Sequence, residues 1–116
     1  MNATVTATAH SVPDKIMTNS HLEAIVDTSD EWIRSRTGIV QRHVVDESEA
    51  TSDISTEIAK NLLAKRGIGP EEIDVIIVGT VTPDHFTPST AAIVQENINA
   101  KNAWGFDLSA ACSGFL

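Results

Sequence analysis

A chain of 116 residues with 41% apolar side chains has the length of one domain and enough apolar surface for a core, which excludes a disordered polypeptide. Sixteen acidic residues against eight basic ones leave a net charge of −8, which argues against nucleic acid or an anionic membrane surface as a partner. The single cysteine, Cys112, excludes an internal disulfide and a thiolate metal site, and it fits a reducing compartment, the cytoplasm.

The predicted elements follow in chain order. Residues 4–10 alternate Thr and Ala around Val5 and predict a short strand, closed by a turn at Pro13. "SHLE" at 20–23 has the spacing of a capping box and opens a short helix with Leu22, Ile25 and Val26. "TSDE" at 28–31 repeats the device before a second short helix that carries Trp32 and Ile33 and stops near Gly38. Residues 39–45 are rich in β-branched side chains and predict a strand.

Residues 51–66 give the clearest helix. Ile54, Ile58 and Leu62 recur every four residues, and Gly67 ends the run. Pro70 begins a single turn through Glu72. "DVIIVGTV" at 74–81 is apolar without alternation, as a strand covered on both faces would be. Thr87-Pro88 predicts a capped helix start, with Ala91, Val94 and Ile98 on one face to about Asn99. Residues 103–108 predict a last strand, leading directly into "DLSAACSGF" at 107–115. The closing order of helix, strand, helix, strand predicts an α/β sheet with a parallel portion. Repeats, linkers and low-complexity stretches are absent, and nothing in the sequence marks an internal boundary. No basic region followed by an apolar run opens the chain, so no signal peptide is expected, and no apolar run has the length of a membrane span. His10, His21, His43 and His85 are scattered without ligand spacing, so no metal is expected.

Cys112 falls where a strand ends and a helix begins, the place where α/β sheets gather their chemistry. Small residues flank it: Ala110 and Ala111 before, Ser113 and Gly114 after. A sharp turn that presents a nucleophile needs such flanks. A thiol at a helix N-terminus would also be shifted toward thiolate by the helix dipole. The plainer alternative is a small, packed hydrophobe, the usual state of a free cysteine. On the residues alone both remain open, because no base lies near Cys112 in sequence and His85 reads as part of a polar loop. Trp32 alone would read as core filling, and Arg36 as a solvated charge near a helix C-terminus.

"DTSDEWIRSRTGI" at 27–39, with "RHV" at 42–44 and "DLSAACSGF", resembles the β-ketoacyl-acyl carrier protein synthase III family, the initiating condensing enzymes of type II fatty acid synthesis. The resemblance covers all 116 residues and roughly the first third of a complete member. It implies α/β architecture, as part of the N-terminal half of a thiolase-like layered αβαβα fold that breaks off just after the nucleophile. Residues 1–116 would then be an incomplete N-terminal half, with the C-terminal half and its catalytic His and Asn absent.

The same resemblance implies a function. Cys112 would accept an acyl group from acyl-CoA, and malonyl-acyl carrier protein would then condense with it. Trp32 and Arg36 would sandwich the CoA adenine, a role suited to a flat indole and a flat guanidinium. Thr37 would hydrogen-bond near the same base. Thr87 would reach into the acyl pocket of the other subunit of a homodimer, where its small side chain leaves room for a longer starter. No cofactor is implied beyond acyl-CoA as substrate. The piece alone would neither condense substrates nor fold stably, and Ile76 and Val78 would be exposed on one sheet face. Two other functions compete: a non-catalytic piece that pairs with an intact subunit, and a thiol-based redox protein, which lacks a resolving cysteine.

Overall fold

The computed structural model describes residues 2–116. Their contacts form two compact units: Val12–Ser48, and the segment before it up to Ser11 together with Glu49–Leu116.

In the unit Val12–Ser48, strand β1 (Ile16–Thr18) leads into helix α1 (Asn19–Glu23); helix α2 (Asp30–Thr37) and strand β2 (Gln41–His43) follow. The strands pair antiparallel, with Met17 opposite Arg42. The two helix starts lie close to the predicted places, but each cap is displaced by one or two residues. Thr18 rather than Ser20 precedes α1, and its hydroxyl lies 2.8 Å from His21 Nδ1. Glu23 Oε1 instead accepts from the Asp30 N–H at 2.6 Å. For α2 the cap is Ser29, whose hydroxyl accepts from the Trp32 N–H at 3.1 Å. The helix stops at Gly38, whose φ of 72° suits a residue without a Cβ.

Asn19 is the polar centre of this unit and only 1% exposed. It donates to Asp30 Oδ1 at 2.7 Å and to the Ile39 carbonyl at 2.9 Å, and it accepts from Arg42 at 2.9 Å. A buried amide with three partners avoids the desolvation cost of unpaired polar atoms. It thereby ties the start of α1 to the first residue of α2 and to the chain beyond it.

The second unit holds helix α3 (Thr51–Arg66), a single 3-10 turn (Pro70–Glu72), strand β3 (Val75–Gly79), helix α4 (Thr90–Asn97), strand β4 (Trp104–Leu108) and a second 3-10 turn (Ala111–Ser113). Strands β3 and β4 pair in parallel, Val75 opposite Trp104 and Gly79 opposite Leu108. Helix α4 packs on both strands and on α3. The core is small: Val78, Ala91, Val94, Ile98, Ala100 and Ala103 are buried, with Ala59, Leu63, Ile73 and Ile76 against it. Full burial of an aliphatic side chain such as Val94 contributes about 1.5–3 kcal/mol.

Helix α4 approaches the sheet closely at Gly105. A Cβ there would stand 2.8 Å from the Ile76 carbonyl oxygen and 3.1 Å from Ala91 Cβ. Backbone cannot yield as a flexible side chain does, so Gly105→Ala is expected to destabilise this unit by about 1–3 kcal/mol. Urea unfolding of the two chains side by side checks this.

Three expectations change. Residues 4–10 form no strand; Thr8 accepts from Lys65 Nζ at 3.0 Å, and Thr6 lines a groove of about 520 Å³ with Ala59, Leu63 and Ile76. Alternation supplies a strand-like pattern, but a strand also needs a ladder partner, and these residues have none among those described. Second, β3 is covered on one face rather than two. Ile76 and Val78, expected on an exposed face, point under α4, while Val75 and Ile77 alternate to the bare side with Trp104, Phe106 and Leu108. Trp104 and Phe106 stack there, ring centroids 5.8 Å apart. Third, α4 starts at Thr90 behind a Ser89 cap, so neither Thr87 nor Pro88 serves as the helix cap or first position.

Candidate active site

Cys112 lies in the 3-10 turn that follows β4, and its side chain is exposed. The chain reverses there through Ala111, whose φ of 48° is left-handed. The Ser113 N–H then closes the turn on the Ala110 carbonyl at 3.0 Å. Ala at a left-handed position costs of order 1 kcal/mol, and a bulkier or β-branched residue would cost more. On its other side the turn rests against the end of β3. A Cβ on Gly114 would lie 3.7 Å from Gly79 Cα and 3.8 Å from the Leu108 carbonyl oxygen. A Cβ at Gly114 would thus make ordinary van der Waals contact, and the left-handed Ala111 is the position in this turn that favours a small residue.

The thiol opens on a recess of about 500 Å³ lined by Ile77, Gly79, Ala111, Gly114 and Phe115. Within these residues the turn is a single 3-10 turn, Ala111–Ser113. Among the described residues no three His, Cys, Asp or Glu groups cluster as metal ligands. His85 lies exposed in the loop before α4.

Trp32 and Arg36 lie on α2 at positions i and i+4, one turn apart on the same helix face. Trp32 is 57% exposed, far more than core filling allows. With Asp27, Thr28 and Ser29 it lines a shallow recess of about 350 Å³. Arg36 is exposed as well. Thr37 closes the helix: its hydroxyl donates to the Ile33 carbonyl at 2.7 Å and accepts from the Ile39 N–H at 3.1 Å.

The same helix begins at Asp30, which Arg34 engages with an Nε–Oδ2 distance of 2.7 Å. Hydrogen bonds from Arg34 and then Asn19 hold the Asp30 carboxyl below its ordinary value, more than offsetting the opposing effect of desolvation. A depressed carboxyl adds stability above its ordinary pKa and loses it as pH falls through the folded-state value. Stability is therefore expected to decline in acid, and Asp30→Asn is expected to flatten that decline. Thermal melts of both chains between neutral and acid pH read the difference.

The site residue absent from the sequence-based list is Asp107. Its two carboxylate oxygens accept from the Thr90 and Ala91 N–H groups at 2.7 and 2.8 Å, closing the first turn of α4 from the neighbouring strand. Asp84 does the same for α3, accepting from the Ser52 N–H at 3.0 Å. Thr87 is exposed in the loop between these two caps.

No family model matches the chain. Over its full length it is 59% identical to a beta-ketoacyl-acyl-carrier-protein synthase III of Chlorobaculum tepidum, of which it spans 36%. Over 98% of its length it is 57% identical to the synthase III of Streptococcus pneumoniae, of which it spans 35%. The chain thus covers about a third of the length of the curated relatives it matches. Among solved structures, 93% of the chain superposes on 35% of a 3-oxoacyl-acyl-carrier-protein synthase III from Aquifex aeolicus, with TM-score 0.88 and 48% identity. It also matches the priming beta-ketosynthase of the R1128 polyketide biosynthetic pathway, with TM-score 0.86 and 34% identity over 90% of the chain and 31% of that structure. The fold is accordingly α/β and thiolase-like, represented in part.

Proposed function

From a chain similar along its whole length to about a third of a beta-ketoacyl-acyl-carrier-protein synthase III, we propose that it is the nucleophile-bearing portion of such a condensing enzyme. The observation that carries this is the exposed thiol of Cys112 in a small-residue turn, open to a recess that Ile77 and Phe115 help to line. Residues 1–116 are then an incomplete N-terminal half. The groups that polarise the malonyl thioester belong to the rest of the protein, and these residues alone do not condense.

The reaction begins with attack of the Cys112 thiolate on the carbonyl carbon of an acyl-CoA. A bond forms from that carbon to Sγ; its bond to the CoA sulfur breaks, and the CoA thiolate takes up a proton. Malonyl-acyl carrier protein next loses carbon dioxide, and its carbanion attacks the new thioester. A carbon–carbon bond forms, the bond to Sγ breaks, and a β-ketoacyl-acyl carrier protein leaves. Backbone N–H groups at the turn would hold the oxyanion of each attack. Trp32 and Arg36 clamp the adenine of CoA, and Thr37 hydrogen-bonds near it. The one-turn spacing of the pair and the exposure of the indole support this role. In this reading the protein acts as a cytoplasmic homodimer. No helix among the described residues is long and apolar enough to cross a membrane.

The test uses a full-length synthase that contains this chain. Given an acyl-CoA and malonyl-acyl carrier protein, it should release carbon dioxide and form the β-ketoacyl product; release of neither overturns the proposal. In the same assay Thr87, small where it borders the acyl pocket of the other subunit, predicts that butyryl- and octanoyl-CoA serve as starters. A strict preference for acetyl-CoA contradicts that assignment. The alternative, a non-catalytic piece that pairs with an intact subunit, draws on the bare apolar sheet face. Condensation by the full-length protein would exclude it.

A further inference from the structure

We propose that Asp107 is the positioning residue of the Cys112 turn. The proposal concerns where the turn sits, and it takes its catalytic meaning from the reading of Cys112 as nucleophile. Asp107 is the next-to-last residue of β4, five positions before the thiol. Its carboxylate takes both N–H groups that open α4, at 2.7 and 2.8 Å, while Ser89 takes the next one, from Ala92, at 3.2 Å. These donors have no partner inside the helix, and a negative charge at that end is favoured by the helix dipole.

The two caps differ in what they join. Ser89 belongs to the segment that enters α4, so its bond is local. Asp107 belongs to β4, so its bonds fix the C-terminal end of the strand to a helix buried in the core. The next residue, Leu108, ends the strand, and its carbonyl accepts from the Thr80 N–H at 3.2 Å. That same carbonyl oxygen lies in van der Waals range of the Gly114 position, 3.8 Å from where a Cβ there would stand. Hydrogen bonds therefore join the first turn of α4 to Asp107 and Leu108 to Thr80, and residues 110–114 follow this strand end through the chain and that packing contact. Loss of the carboxylate frees the strand end from the helix, and the turn with it. Gly105, two residues earlier, holds the same strand close to Ala91, so β4 stays registered upstream while its end loosens.

Hydrogen exchange of a full-length synthase that contains this chain, read by mass spectrometry, tests the proposal. Two peptides matter, one over 89–92 and one over 109–114. Ser89→Ala removes a local cap and should speed exchange in the first peptide only. Asp107→Asn should speed exchange in both, by about tenfold in the second, the scale set by the loss of roughly one charge-assisted hydrogen bond. If Asp107→Asn does not fold by circular dichroism, Thr90→Pro serves instead. It deletes one of the two donors to Asp107 at a helix position that suits proline, and it should speed exchange at 109–114 by a smaller factor. The proposal fails if 109–114 exchanges alike in the parent and the Asp107 or Thr90 variant, if Ser89→Ala loosens both peptides equally, or if 109–114 is already unprotected in the parent. None of these outcomes depends on acyl transfer, so the positioning role and the condensing function stand or fall separately.

Discussion

Cys112→Ser should lower acyl transfer from acyl-CoA by at least about 10³-fold in a full-length synthase that contains this chain, and Cys112→Ala should abolish it. The reason lies in the acidity of the two groups, since a thiol ionises far more readily than a hydroxyl, and Cys112 is exposed in a one-turn element. A cysteine supplies some thiolate near neutral pH without help, and the thiolate is the attacking species. A serine hydroxyl in the same turn has no such access to its anion. Both variants should fold like the parent, because the side chain points outward and holds no hydrogen bond that the fold needs. Transfer rates, measured as released CoA thiol and set against circular dichroism spectra of the same samples, separate lost chemistry from lost structure.

Trp32→Ala combined with Arg36→Ala should weaken CoA binding by roughly 10- to 100-fold, about 1–3 kcal/mol, the scale of base stacking and cation–π contacts. The two side chains project from one face of α2, and nothing in the fold is built on either. Trp32 is more than half exposed, and Arg36 takes part in neither the Arg34–Asp30 nor the Lys60–Glu57 ion pair. Stability should therefore change little while affinity falls. Calorimetric titration with CoA measures the effect. The comparison variant is Arg34→Ala, which removes an ion pair from the same helix without touching the clamp and should leave the affinity near the parent value.

Local signals carried the elements that the sequence made legible. The four-residue apolar repeat and Gly67 placed α3 at 51–66, and the structure returns Thr51–Arg66. Gly38 and Gly67 both take left-handed φ, as stop signals should. Elements that depend on distant partners were less legible. The alternating segment 4–10 has a strand pattern but no ladder. The apolar run of β3 gave no indication of which of its two faces would be covered, because the register with β4 and the passage of α4 over Gly105 decide that.

The candidate site divides in the same way. The turn around Cys112 was readable from its run of small residues, of which Ala111 takes a left-handed φ that disfavours larger side chains. Trp32 and Arg36 became a pair only through the family resemblance, since on the residues alone Trp32 reads as core filling and Arg36 as a solvated charge. Asp107 was not readable, since its partners lie 16 and 17 residues upstream and no local pattern announces them. Asp84, whose partner Ser52 is 32 residues away, escaped for the same reason.

The central claim, that Cys112 is an acyl-accepting nucleophile, is tested most directly by the mass of the intact protein after incubation with octanoyl-CoA. One octanoyl group should appear, map to the peptide containing Cys112, leave on treatment with neutral hydroxylamine as a thioester does, and be missing from Cys112→Ala. An unmodified protein, or an adduct that Cys112→Ala retains, would contradict the account.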